Sequence, residues 1–107
     1  MALALVTSGT TTTDGTEQTL FTDTTAKVYV LAIDTNAMVN GDTIEIKLKT
    51  KVLTAGTSRI AYYVTYSHVQ GQPQKYSITI PADIELVGTL KRTAGTDRAY
   101  PWALLSL

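Results

Sequence analysis

Few residues in this chain have the type and spacing that catalysis requires. The single histidine, His68, adjoins Ser67. Neighbours in an extended strand point to opposite faces, so these two cannot act as base and nucleophile. No nucleophile elbow is present to supply a serine from elsewhere, and the absence of cysteine removes thiolate chemistry, disulfides and thiolate metal sites. A glycosidase needs two carboxylates facing each other across a sugar. The nine Asp and Glu residues mark no such pair, and most sit in turn segments where Asp accepts bonds from its own backbone. The segment from Asp34 to Asp42 superficially resembles a calcium loop. It lacks the ligand order of one, and Met38 and Val39 occupy its interior, so a hairpin turn is expected there. No catalytic residue, metal site or cofactor is expected.

Binding chemistry is better represented. Lys47, Lys49 and Lys51 alternate along one strand face, but Glu45 interrupts the stripe and no aromatic residues interleave for base stacking. A solvated face is the reading, not a nucleic-acid groove. The seven glycines are scattered one per turn, so no phosphate-cradling loop exists. Six tyrosines and Trp102 carry nearly all the aromatic surface. Those on an exposed strand, Tyr63 among them, could stack sugars or anchor an interface, and the others are expected in the core.

The elements that must position these groups are strands. Threonine makes up roughly one residue in five and is accompanied by Val, Ile and Tyr, the types suited to a pleated surface. Period-2 alternation recurs and no window keeps a helical period. In Thr43 to Val52, Ile44, Ile46, Leu48 and Val52 alternate with charged residues, predicting a strand with one wet face. Lys27 to Asp34 is apolar on both faces and is expected centrally or against a partner. Arg59 to Val69, Ile84 to Lys91 and Ala99 to Leu107 are further strands, Glu17 to Thr22 is a weaker one, and Tyr76 to Ile80 is a short one ended by Pro81. Asp14-Gly15 and Asn40-Gly41 read as tight-turn dipeptides. The near-identical Thr54-Ala55-Gly56-Thr57 and Thr93-Ala94-Gly95-Thr96 read as hairpin loops. Strands at this spacing predict an all-β fold, a single antiparallel β-sandwich of jelly-roll or immunoglobulin-like type.

The chain has 107 residues, 44% hydrophobic and 17% charged, with nine basic and nine acidic side chains and no net charge. That is enough for one core and too apolar for disorder. Neutrality removes the usual electrostatic case for nucleic acid or an anionic membrane. Met1 to Val6 lacks the basic flank and length of a secretory signal, and no stretch approaches the roughly 18 apolar residues of a membrane helix, so a soluble protein is expected. Residues 14–107 are expected to form the sandwich. Residues 1–13 are expected to form an extended arm or edge strand, with Thr10 to Thr13 either frayed or ordered against a neighbouring subunit.

Four blocks resemble small virion proteins of tailed bacteriophages: Asp14-Gly15-Thr16-Glu17-Gln18-Thr19-Leu20, the strand Val28 to Asp34, Asn40 to Lys47, and above all Leu90 to Trp102 with its turn, arginines and Pro101-Trp102 pair. The resemblance covers most of the chain. It implies a non-enzymatic capsid decoration (cement) protein on the capsid exterior, made in the host cytoplasm. The implied partners are the major capsid protein and copies of itself as a homo-oligomer. A tail, neck or fibre component is the first alternative, and a carbohydrate-binding module using Tyr63 is the second. Contacts are expected on the arm, through Leu3, Leu5, Thr10, Thr11, Thr12 and Thr13, and on or near the loops carrying Arg59 and Arg98. Tyr63 is a further candidate, and Trp102 is either a core plug or an interface anchor. An arm that pairs main chain to main chain needs no special side chains, and weak contacts add up on a lattice.

Overall fold

The computed structural model describes residues 3–107, so Met1 and Ala2 of the expected arm lie outside the described residues. Nine strands follow in order: β1 (Ala4–Thr12), β2 (Gln18–Asp23), β3 (Lys27–Asp34), β4 (Thr43–Thr50), β5 (Arg59–Ser67), β6 (Gln74–Tyr76), β7 (Ile80–Ala82), β8 (Leu86–Ala94) and β9 (Ala99–Ser106). They form two antiparallel sheets. One has the order β1-β9-β3-β6 with β7 also on β3, and the other has the order β2-β8-β4-β5.

The pairing is nested. β1 pairs with β9, β2 with β8, β3 with β6 and β7, and β4 with β5. The chain is thus one long antiparallel hairpin rolled so that successive pairs alternate between sheets. Counting β6 and β7 as one interrupted strand, this is the eight-stranded jelly-roll winding.

Alternation decides which residues meet between the sheets. Tyr29, Leu31 and Ile33 of β3, Ile44, Ile46 and Leu48 of β4, and Tyr100, Trp102 and Leu104 of β9 are all buried. Phe21, Leu86 and Leu90 complete the layer, and Tyr62, Val64 and Tyr66 of β5 pack against its margin. Gly88 lies directly opposite the Phe21 ring, which occupies the place of a Cβ.

Several local expectations change. Val52 lies beyond the end of β4 and is 87% exposed, because the strand stops at Thr50, where its pairing with Arg59 and Leu86 ends. Pro81 does not end a strand. It sits inside β7 opposite Val28, which is tolerated because β7 pairs on one side only. The weak segment near Glu17 is a full strand, made so by pairing with β8. Gly15 and Gly41 have the positive φ of turn residues, 84° and 100°. Their turns, however, link β1 to β2 and β3 to β4 across the two sheets. Of the two Thr-Ala-Gly-Thr segments only 54–57 lies in a hairpin, between β4 and β5. Thr93 and Ala94 end β8, and the chain then crosses to β9 in the other sheet.

Candidate interaction surface

The winding gathers the loops at the two ends of the sandwich. One end holds residues 13–17, 35–42, 68–73 and 95–98; the other holds 24–26, 51–58 and 83–85, the start of β1 and the end of β9.

The first end is organised by Asp42, which is buried. Its carboxylate accepts from the Val39 amide at 3.0 Å, the Thr96 amide at 3.1 Å and the Arg98 guanidinium. Burial pushes this carboxyl up, but the two amides and the Arg98 charge outweigh it and hold the group below the usual carboxylate range. Its backbone carbonyl accepts from His68 N–H at 2.8 Å, and His68 Nδ1 in turn accepts from Gly41 N–H at 2.9 Å. His68 adopts φ of 65° there. One aspartate therefore ties together the turns before β4, after β5 and before β9. Within 35–42 the Thr35 carbonyl accepts from Met38 N–H and Asp42 closes on Val39, so the segment that superficially resembles a calcium loop is a self-bonded turn. Among the described residues no three His, Cys, Asp or Glu side chains gather as a metal site.

The candidate contact residues separate into two groups. Thr11, Thr13, Arg98 and Trp102 are engaged within the domain. Trp102, left open between core and interface by its sequence, is buried. Its ring lies 5.8 Å from that of Phe21, and its Nε1–H donates to Thr11 Oγ1 at 3.0 Å. Thr13 is buried, donates its N–H to the Arg98 carbonyl and accepts the Arg98 N–H. The four threonines that lack an apolar partner face in sequence are thus held along β9, where Thr10 and Thr12 face outward opposite Pro101 and Ala99.

Leu3, Leu5, Arg59 and Tyr63 are exposed. Tyr63 donates its hydroxyl to Glu45 at 2.8 Å, and the Lys47 ammonium lies 5.8 Å from its ring centre, so one ring face is occupied. The lysine stripe is neutralised where it stands. Glu17 reaches Lys47 at 3.2 Å and Lys49 at 3.1 Å, and Glu85 lies 3.9 Å from Lys51. Lys49 first, then Lys47, holds the Glu17 carboxyl low.

Two apolar surfaces are only partly legible in the sequence, which points to Leu3, Leu5 and the Arg59 loop in one and to the doubly apolar β3 in the other. Among the described residues, six of the eleven exposed large hydrophobics, Leu3, Leu5, Val52, Leu53, Ile60 and Leu107, lie at the second end. Val52, Leu53 and Ile60 line a depression of about 390 Å³ beside Arg59. The other surface is the outer face of the β1-β9-β3-β6 sheet. Cross-strand rows there read Leu5–Leu105–Val30 and Ser8–Ala103–Ala32–Tyr76. A groove of about 250 Å³ crosses it between Pro101 and Tyr76. The signal for this face was the double-sided apolarity of β3. Val52, Leu53, Ile60 and Leu107 at the apolar end carried no such signal, because they are scattered along the chain.

No protein-family model, curated protein or solved structure matches this chain.

Proposed function

We propose that this chain is a non-enzymatic virion structural protein that decorates a bacteriophage capsid, binding major capsid subunits through the apolar end of its sandwich. The observation that carries the reading is the cluster of exposed Val52, Leu53 and Ile60 beside Arg59 at that end, where Leu3 and Leu5 are also exposed at the start of β1. Water-exposed aliphatic side chains on a rigid hairpin tip lose little entropy when they enter a partner's pocket. The open edge of β1 lies at the side of the same end and offers main-chain groups to a lattice subunit. The resemblance of Leu90 to Trp102 and the preceding blocks to small phage virion proteins supports the same role. The jelly roll is used by capsid and lectin domains alike, so the fold supports the class without selecting it.

The test is co-sedimentation of purified protein with expanded, undecorated phage heads. Saturable binding, lost in a Val52→Asp/Leu53→Asp variant that keeps its thermal transition, is the expected result. Removing residues 1–13 is not a clean test, because Thr11 and Thr13 hold Trp102 and the Arg98 backbone. Absence of binding to heads would transfer the assignment to a tail, neck or fibre component.

A further inference from the structure

We propose that the outer face of the β1-β9-β3-β6 sheet is the surface by which two copies of this chain associate face to face. The two outer faces of the sandwich differ in kind. The β2-β8-β4-β5 sheet turns Glu45, Lys47, Lys49 and Lys91 to water, and Glu17 lies across two of those lysines. The opposite face presents Leu5, Leu105, Val30, Ala103, Ala32 and Tyr76 in adjoining cross-strand rows. Its one carboxylate on the β3 rows, Asp34, lies at the end of the strand and accepts from the Asn36 amide.

Three observations select a second copy as the occupant. The first is charge. A two-fold interface brings each side chain near its own image or that of a neighbour on the same face, so a charged face repels itself and a neutral one does not. A face that recognised a different partner by complementarity would carry charge to match. The second is area. The molecule measures 40 × 30 × 18 Å, and the 18 Å dimension is the two-layer thickness. The 40 × 30 Å outline encloses about 1,200 Å², which leaves room for the roughly 800 Å² per partner of a stable interface. The third is shape. Two copies of one sheet have the same twist, so they stack in the aligned geometry of sheets within a sandwich, about 10 Å apart. Ala32 and Ala103 at the centre keep the backbones accessible to such close approach, and the larger Leu5, Leu105 and Tyr76 stand around them. The resulting dimer is a four-layer stack with both charged faces outward and Val52, Leu53 and Ile60 of each copy left free. The inference is independent of the capsid reading, and it is decided without phage heads.

The experiment is sedimentation equilibrium on the full chain from about 1 to 200 μM, with Ala103→Glu, Ala103→Lys and, on the opposite outer face, Thr65→Glu. The wild type and Thr65→Glu are expected at twice the 11.5 kDa protomer mass. Each Ala103 variant is expected to dissociate with at least a roughly 100-fold weaker constant, because each buries two like, unpaired charges. Position 103 points outward, so circular dichroism and the urea transition are expected to stay native. An equimolar mixture of Ala103→Glu and Ala103→Lys is expected to recover association that neither shows alone, which a folding defect would not produce. A wild type that stays monomeric to 200 μM overturns the inference. So does an oligomer unaffected by the Ala103 variants, which would place self-association on a strand edge instead.

Discussion

Replacing Asp42 with alanine removes the acceptor for three donors at once, the Val39 and Thr96 amides and the Arg98 guanidinium. Breaking a buried charged network by deleting one partner costs about 3–5 kcal/mol, because the remaining groups stay desolvated. Arg98 keeps 28% of its side chain exposed and can rehydrate in part, which places the expected loss near the lower bound, about 3 kcal/mol. With a urea m-value of about 1.5 kcal/mol/M, the midpoint should fall by about 2 M. Trp102, the only tryptophan, is buried against Phe21 and reports the transition by fluorescence. The pH dependence has a definite sign. The Asp42 carboxyl titrates lower in the folded chain than in the unfolded one, where its value is about 3.9. Its stabilisation is therefore complete above that value and is lost as pH falls from there through the folded-state value. Asp42→Asn, which keeps the shape and loses the charge, should flatten the stability profile below about pH 5 while lowering the plateau above it. A midpoint shift below about 0.5 M for Asp42→Ala would refute the claim that this carboxylate ties the turn before β4 to the turn before β9.

Gly88→Ala should destabilise by about 1–3 kcal/mol, since the added methyl meets the Phe21 ring, and Phe21→Leu in the same chain should restore part of the loss in urea melts. Thr11→Val keeps strand propensity but leaves the Trp102 Nε1–H without its acceptor; a cost of about 1–2 kcal/mol is expected, with a shifted Trp102 emission. Glu17→Gln should cost less than about 1 kcal/mol at low salt and nothing measurable at about 0.5 M salt, because its pairs with Lys47 and Lys49 are partly solvated; thermal melts at two ionic strengths measure it.

Strand content was legible because period-2 alternation is a local property. Ile44, Ile46 and Leu48 face the core because side chains alternate and the charged Glu45 and Lys47 between them must reach water. The centrality of β3 was legible for a related reason, since a segment apolar on both faces has no face to spare for solvent. Boundaries were less legible. Nothing local separates Leu48 from Val52, and only the loss of partners after Thr50 ends the strand. The same holds for Gln18–Asp23, a strand by virtue of β8, and for Pro81, admitted because one side of β7 is unpaired.

The site residues divide along the same line. Strand alternation separates Ser67 from His68 only in an extended pair; β5 ends at Ser67 and His68 adopts a φ of 65°, so the place of the imidazole, with Nδ1 accepting from Gly41 N–H, is set by the tertiary fold. That Trp102 is core, that Arg98 is engaged by Asp42, that Thr11 bonds Trp102 and that Thr13 bonds the Arg98 backbone depend on pairs between 56 and 91 residues apart. Such contacts leave no periodic trace, because each partner is an ordinary turn or strand residue until the rolled hairpin brings them together. The amino-acid order by itself determined an all-β chain with alternating faces and turn glycines. Only the tertiary winding decided which faces became core, which became surface, and that Leu3, Leu5, Val52, Leu53 and Ile60 share one end. Burial is a property of the assembled layers, whereas alternation is a property of each strand.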